Sequence, residues 1–274
     1  MDLILQALVM GVVQGLTEFL PISSSGHLIL LPWLFGWTDP FIESLAFSVV
    51  LHGGTLAALL VYFRDDWFRL VPAGLATLRD RSFRGDPDRR LAWLLAASTV
   101  PAAVAALLLN DLIEANTRRV GLVALTLVVA GAVLWLADRW GPRTRTMDKL
   151  TFRGALGIGL AQTLALVPGV SRSGISMSAA LLAGLDRADA VRFSFLMATP
   201  ITAMAVAYET LKLLKGEVGG ADPALMVVGV VSSFAAGILA IAVLLRYVRT
   251  RSFGVFVAYR VVLAAVVVGL LLVR

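Results

Sequence analysis

Apolar residues run along this chain in long stretches separated by short polar ones, and the length of each stretch says what it can do. Six stretches, roughly 43–63, 90–110, 117–137, 190–213, 223–246 and 253–273, each hold the ~20 residues that a helix needs to cross a hydrocarbon layer of about 30 Å. Four shorter ones form two pairs, 3–20 with 25–35 and 152–166 with 173–184. A polar loop containing proline interrupts each pair: Pro21-Ile-Ser-Ser-Ser-Gly26 in the first, Pro168-Gly-Val-Ser-Arg-Ser-Gly174 in the second. Irregular backbone at membrane depth is tolerated only where it is buried in protein or lines a wet cavity. The pattern therefore predicts an all-α polytopic membrane protein, with six transmembrane helices and two re-entrant helical hairpins in a single membrane domain over 1–274.

The order is hairpin, three spans, hairpin, three spans, which points to an internal duplication of about 1–140 and about 150–274. At an offset of 148 the two hairpins pair Gly11 with Gly159, Gln14 with Gln162, Ser23 with Ser171, Ser25 with Ser173 and Gly26 with Gly174. Two residues out of that register, Phe47-Ser48 matches Phe193-Ser194. Three crossings per half is an odd number, so the second half enters the membrane from the opposite side. This inverted-topology repeat places its working site where broken helices meet near the midplane.

Composition agrees with the pattern. The 274 residues are 59% hydrophobic and 15% charged, whereas a soluble domain carries about 25% charged residues. Cysteine is absent, which excludes disulfides and thiolate metal sites. The formal charge of +6 comes from basic residues in short loops between apolar stretches, so no nucleic-acid partner is expected. Met1-Asp2 lacks the basic start of a cleavable leader. Arg64, Arg69, Arg79, Arg81, Arg84, Arg89, Arg90, Arg139, Arg143, Arg145, Lys149, Arg153, Arg187, Arg192, Arg246, Arg249 and Arg251 fall on one face of the predicted topology. Arg118, Arg119, Lys212, Lys215 and Arg274 fall on the other, and seventeen against five marks the richer face as cytoplasmic. Both termini are then expected on the outer side of the membrane. The six tryptophans mostly lie near span ends, as an aromatic belt would, and Pro200 is expected to kink the first span of the second half.

Ionisable residues inside membrane segments are expensive and are functional candidates by default. The first hairpin contributes Gln14, Glu18 and His27, and the second contributes Arg172. Gln14 and Glu18 are four apart and share a helix face just before Pro21. Ser23, Ser24, Ser25 and His27 open the next short helix, where free N–H groups and the positive dipole end favour an anion. Ser171, Arg172 and Ser173 occupy the equivalent helix start. If the loops meet, the cleft suits a phosphate: Arg172 binds its oxygens bidentately, and Glu18 and Gln14 offer hard oxygen ligands for Mg²⁺ or Ca²⁺. Ser24 or a neighbour is placed to act as nucleophile, with His27 able to exchange its proton. The plainer readings are serines bonded to their own backbone and a structural Glu18–Arg172 ion pair. Convergence of both loops favours the functional one.

Gly-Val-Val-Gln14-Gly-Leu-Thr-Glu18-Phe-Leu-Pro-Ile-Ser-Ser24-Ser-Gly-His27 resembles the signature of the bacitracin-resistance family of undecaprenyl pyrophosphate phosphatases. Pro168-Gly-Val-Ser171-Arg172-Ser173-Gly174 resembles that family's second signature, and the likeness extends over the whole chain, including Tyr259-Arg260 in the last stretch. The resemblance implies hydrolysis of a polyprenyl pyrophosphate lipid to its monophosphate, recycling the carrier for cell-wall synthesis from a site open to the periplasm. It also implies Glu18 as the essential acid, Gln14 at a position that takes Glu or Gln, Ser24 as nucleophile and His27 as its partner. Arg172 matches the phosphate-binding arginine, flanked by Ser171 and Ser173, and Mg²⁺ or Ca²⁺ is the expected cofactor.

Two rival readings of the same residues carry weight. Phosphatases that form a phosphohistidine need a second histidine, and the other here, His52, lies midway along the third helix. It is expected between helices or as a minor contributor to the cleft. A polyprenyl-phosphate flippase on the same broken-helix architecture is the stronger rival. The sequence leaves a homodimer open, and it leaves Arg260 either near the site or at an interface.

Overall fold

In the computed structural model the apolar stretches fold as α-helices, and the described residues form no β-strand. The structure describes the backbone of residues 2–82, 85–117, 119–215 and 222–273, and the side chains of these except 110–117, 213 and 214. Arg84, Arg118 and Arg274, which entered the charge count, lie outside the described residues. The helices are α1 (Leu3–Phe19), α2 (Ser24–Phe35), α3 (Leu45–Tyr62), α4 (Arg64–Asp80), α5 (Pro87–Thr117) and α6 (Val120–Trp140), followed by α7 (Phe152–Gln162), α8 (Arg172–Leu182), α9 (Arg187–Leu214), α10 (Pro223–Tyr247) and α11 (Gly254–Val273). Six are long and apolar enough to cross a membrane: α3, α5 over Pro87–Leu109, α6, α9 over Arg187–Lys212, α10 and α11. The chain is a multi-pass membrane protein, with spans within a few residues of those the apolar pattern predicts. Leu107, Val227, Val262 and Leu272 stand exposed on these helices, an apolar exterior that belongs in lipid rather than in water.

One helix departs from the ten apolar stretches. Arg64–Asp80 forms a 17-residue helix, α4, continuing from α3 with only Phe63 between. Its charge density hides it from a search for spans. Phe68, Val71, Leu75 and Leu78 nevertheless recur at helical spacing, and Asp65 and Asp66 favour the positive end of the helix dipole.

Prolines make the two breaks. Pro21 cannot continue α1, and Leu20 before it adopts extended backbone, φ −66° and ψ 138°. A 3-10 turn (Thr163–Leu166) follows α7, and Val167 before Pro168 is extended in the same way. Each chain then passes through a serine at positive φ: Ser23 at φ 76°, ψ 95°, and Ser171 at φ 76°, ψ 112°. A side chain in that conformation costs on the order of 1–3 kcal/mol. Both serines offset part of it by capping the next helix, with Ser23 Oγ accepting from Gly26 N–H and Ser171 Oγ from Gly174 N–H.

Packing brings the breaks together. α1 lies along α10, where Gly11 faces Gly229 and Ser232 with no room for a side chain, and α7 lies along α5, where Gly159 faces Ser98 in the same way. α8 is held between α6, α7 and α9. Next to Glu18, Phe19 packs edge-on against Phe195 of α9, ring centroids 5.3 Å apart. That contact pins the end of α1 against the helix that supports Arg172.

Candidate active site at the two broken helices

Glu18, in the last turn of α1, is buried at 6% exposure and uses both carboxylate oxygens. Its Oε2 accepts from Gln14 Nε2 at 3.0 Å and from Ser24 Oγ at 2.6 Å. Its Oε1 accepts from Arg172 Nη2 in an ion pair that joins the first broken helix to the second. Arg172 also donates through Nη1 to Thr202 Oγ1 of α9 at 2.5 Å. Ser173 Oγ donates to Leu20 O at 3.2 Å, a second direct link between the loops. Ser23 and Ser25 hydroxyls lie 3.3 Å apart, and those of Ser171 and Ser173 lie 3.2 Å apart. Glu18, Ser24, Arg172 and Gln14 thus meet at one carboxylate, with the flanking serines capping and cross-linking the loops.

His27 stands differently. Its Nδ1 is 2.7 Å from Ser23 O, which can only accept, so that nitrogen carries the proton. In the neutral ring, Nε2 accepts from the Tyr259 hydroxyl of α11 at 2.7 Å. Sequence spacing paired Ser24 with His27, whereas here the acceptor for the Ser24 hydroxyl is Glu18. His52 of α3 reaches the centre: Nδ1 donates to Ser48 O at 2.7 Å, and Nε2 faces Glu18 Oε2 at 3.4 Å, an ion-pair contact when the ring is protonated. Nothing local in the sequence flags Thr202 or the Tyr259 contact, which joins residues 232 apart. His52, expected between helices or as a minor contributor to the cleft, lies on α3 beside Glu18.

Arg260 resolves the choice left open by the sequence. It is fully buried, and its Nη2 donates to Gly169 O at 2.8 Å and Val170 O at 2.6 Å, holding the loop that leads into Arg172. Its Nε and Nη1 have no hydrogen-bond partner among the described residues. Among the described residues, Arg172 at the start of α8 pairs with Glu18, while Arg260, bonded to the loop just before it, pairs with no carboxylate. A buried surplus of positive charge is costly unless an anion completes it, so the arrangement suits an anion.

The donor set also accommodates a hard cation. Gln14 Oε1 is buried without a partner, beside the Glu18 carboxylate. No group of three or more His, Asp or Glu residues clusters for a metal among the described residues. Mg²⁺ fits such a site, because it is commonly held by one or two protein oxygens, waters and the phosphates of a substrate.

The chain is similar to known proteins over nearly its whole length. The family model for the bacitracin resistance protein BacA matches residues 7–266. The undecaprenyl-diphosphatase of Gemmatimonas aurantiaca is 48% identical over 262 residues, 96% of each chain. That of Desulforudis audaxviator is 46% identical over 273 residues, 98% of each chain, and that of Geobacter sulfurreducens is 45% identical over 272 residues, 99% of each. Every residue of the centre, from Gln14 to Arg260, lies inside the matched span, and the chain belongs to the bacitracin resistance protein BacA family.

Proposed function

We propose that this chain hydrolyses undecaprenyl diphosphate to undecaprenyl phosphate and inorganic phosphate, with Glu18, Ser24 and Arg172 at the reacting centre. The observation that carries the proposal is a single carboxylate, Glu18, bonded on one oxygen to the Ser24 hydroxyl and on the other to the Arg172 guanidinium. A diphosphate entering the site exchanges for Glu18 on Arg172, whose planar fork matches two phosphate oxygens. The Ser24 hydroxyl attacks the terminal phosphorus. The Oγ–P bond forms, the bridging P–O bond breaks, and the lipid monophosphate leaves. The Ser24 proton passes to Glu18, already 2.6 Å away. Water then attacks the seryl phosphate: its O–P bond forms, the Oγ–P bond breaks, Glu18 returns the proton to Ser24 Oγ, and the protons of the water leave with inorganic phosphate. Arg260 and the two helix starts stabilise the charge spread over the transferring phosphoryl group.

Glu18 and Gln14 Oε1 would hold Mg²⁺ or Ca²⁺. When bound, the cation supplies charge neutralisation for the diphosphate oxygens. His27 stays a hydrogen-bonding group at the start of α2, oriented by Tyr259 and Ser23 O. It completes the polar lining rather than drawing the proton from Ser24.

We infer that the two halves are inverted repeats, with each broken helix forming a re-entrant hairpin. The left-handed serines at positions 23 and 171, 148 apart, support this reading. So do the equivalent partners: α1 on α10 and α7 on α5, α10 on α3 and α5 on α9, α6 on α11. With the arginine-rich ends of α3, α6 and α9 cytoplasmic, both termini and the substrate face the outer side of a bacterial inner membrane.

The test is phosphate release from undecaprenyl diphosphate by purified protein in detergent. Ser24→Ala is expected to lower turnover by about 10³-fold or more, and a quenched wild-type reaction is expected to yield phosphate on Ser24. Substantial hydrolysis by Ser24→Ala would assign the attack to water and leave Ser24 a positioning group.

A further inference from the structure

A second basic site lies away from the catalytic centre, where three helix ends meet. α6 ends at Trp140, α9 begins at Arg187 and α11 begins at Gly254. Between them is a hollow of about 250 Å³ lined by Trp135, Asp138, Arg139, Arg143, Arg187 and Gly254, together with Ser252. Asp138 is its one carboxylate and is already committed. It is buried, accepts from Arg187 Nε at 2.6 Å, and accepts from Phe253 N–H at 3.0 Å. Arg139 and Arg143 are exposed and have neither an ion pair nor a hydrogen bond among the described residues. Three guanidiniums against one carboxylate leave two positive charges on the hollow. The first turn of α11 contains no acidic residue to offset them, and its positive dipole end adds to the same field.

Position and shape narrow the ligand. Arginines at a membrane face follow from the general charge bias and by themselves say nothing of binding. Here they surround a concavity, and Trp135, 48% exposed, stands one turn further into the membrane on the same helix. An apolar ring below and guanidiniums above match a phosphodiester with its acyl chain running down α6. Arg187 is fixed by Asp138, so the hollow is preorganised before any ligand arrives.

We propose that this hollow binds the phosphate headgroup of an anionic membrane phospholipid, independently of the catalytic centre. The probe is phosphatidylglycerol, titrated onto the purified full chain and followed by native mass spectrometry, with phosphatidylcholine and inorganic phosphate as parallel arms. Phosphatidylglycerol is expected to bind in preference to phosphatidylcholine, and inorganic phosphate is expected not to displace it. Arg139→Gln with Arg143→Gln should weaken phosphatidylglycerol binding by roughly thirtyfold, since each interfacial arginine contributes about fivefold. Arg139→Lys with Arg143→Lys should keep most of it. Hydrolysis should be unchanged in both variants, which also reports that they fold. Equal binding of the two lipids, or a preference that survives the glutamine pair, would overturn the proposal. Displacement by millimolar phosphate would assign the hollow to a free anion and overturn the lipid assignment. If the glutamine pair does not fold, Arg143→Gln alone, in the loop after α6, must show its own about fivefold loss or the proposal fails.

Discussion

The two broken helices share a backbone and divide the chemistry. Each has a proline-led break, a serine at φ 76° and a hydroxyl cap on the next helix. At matched positions 148 apart the side chains part company: Glu18 against Leu166, Ser24 against Arg172, His27 against Ile175. One loop supplies the acid and the hydroxyl, the other the cation, and each lacks what its counterpart carries. The serine turn is the common device for presenting a helix start, and the chemistry differs through what sits in its first turn. Two loops with the same serine turn can thus differ in chemistry through a few side chains.

The sharpest way to break this division is to remove the one group both loops touch. Glu18→Gln keeps the shape and loses the proton acceptor for Ser24 and the counter-charge for Arg172. Turnover is expected to fall by about 10³-fold or more, with the protein still extracted as a folded monodisperse species. Activity within tenfold of wild type would show that the carboxylate only ties the loops together. Arg172→Lys probes the opposite half. It keeps the charge but not the planar fork, and a loss of about 10²-fold is expected, mostly in turnover. A variant that loses only substrate affinity would reduce Arg172 to a binding group.

Much of this centre was legible in the sequence, for a physical reason. Glu18, Ser24 and Arg172 are polar groups beside prolines within apolar stretches, and in a membrane such placement is too costly to be incidental. The spans were legible because lipid demands one length of apolar helix. What escaped was whatever depends on packing. Tyr259 meets His27 only because α11 lies on α6 and over the first loop, and Thr202 meets Arg172 only because α9 backs α8. Neither contact leaves a local pattern. The pairing of Ser24 with His27 drew on sequence proximity, and the three-residue spacing in α2 gave no warning that Tyr259 would take the ring nitrogen.

That contact yields a smaller, separable effect. Tyr259→Phe removes the hydroxyl that donates to His27 Nε2 and leaves the ring stack, whose centroids lie 5.6 Å apart with the planes 10° from parallel. A fall of about five- to tenfold in turnover is expected, the effect of losing one neutral hydrogen bond of about 1 kcal/mol. His27→Ala should cost more, and combining the two should add little, because Tyr259 acts through His27. Full additivity in that double mutant would mean that Tyr259 has its own part in the site.

The smallest effect tests the division where the halves are most alike. Gln14 and Gln162 are the same residue at matched positions, both buried, yet only Gln14 has an acid beside it. Among the described residues, Gln162 has neither its amide nitrogen nor its amide oxygen paired, and the position matched in sequence to Glu18 is Leu166. An unpaired buried amide costs about 1–3 kcal/mol, so Gln162→Leu should leave hydrolysis untouched and raise thermal stability or leave it unchanged. The same change at Gln14 should lower turnover, because it strips the orphan oxygen and the donor to Glu18. If Gln162→Leu destabilises the protein or slows it, the second loop holds a bound water or ligand of its own, and the halves divide the chemistry less completely than their side chains imply.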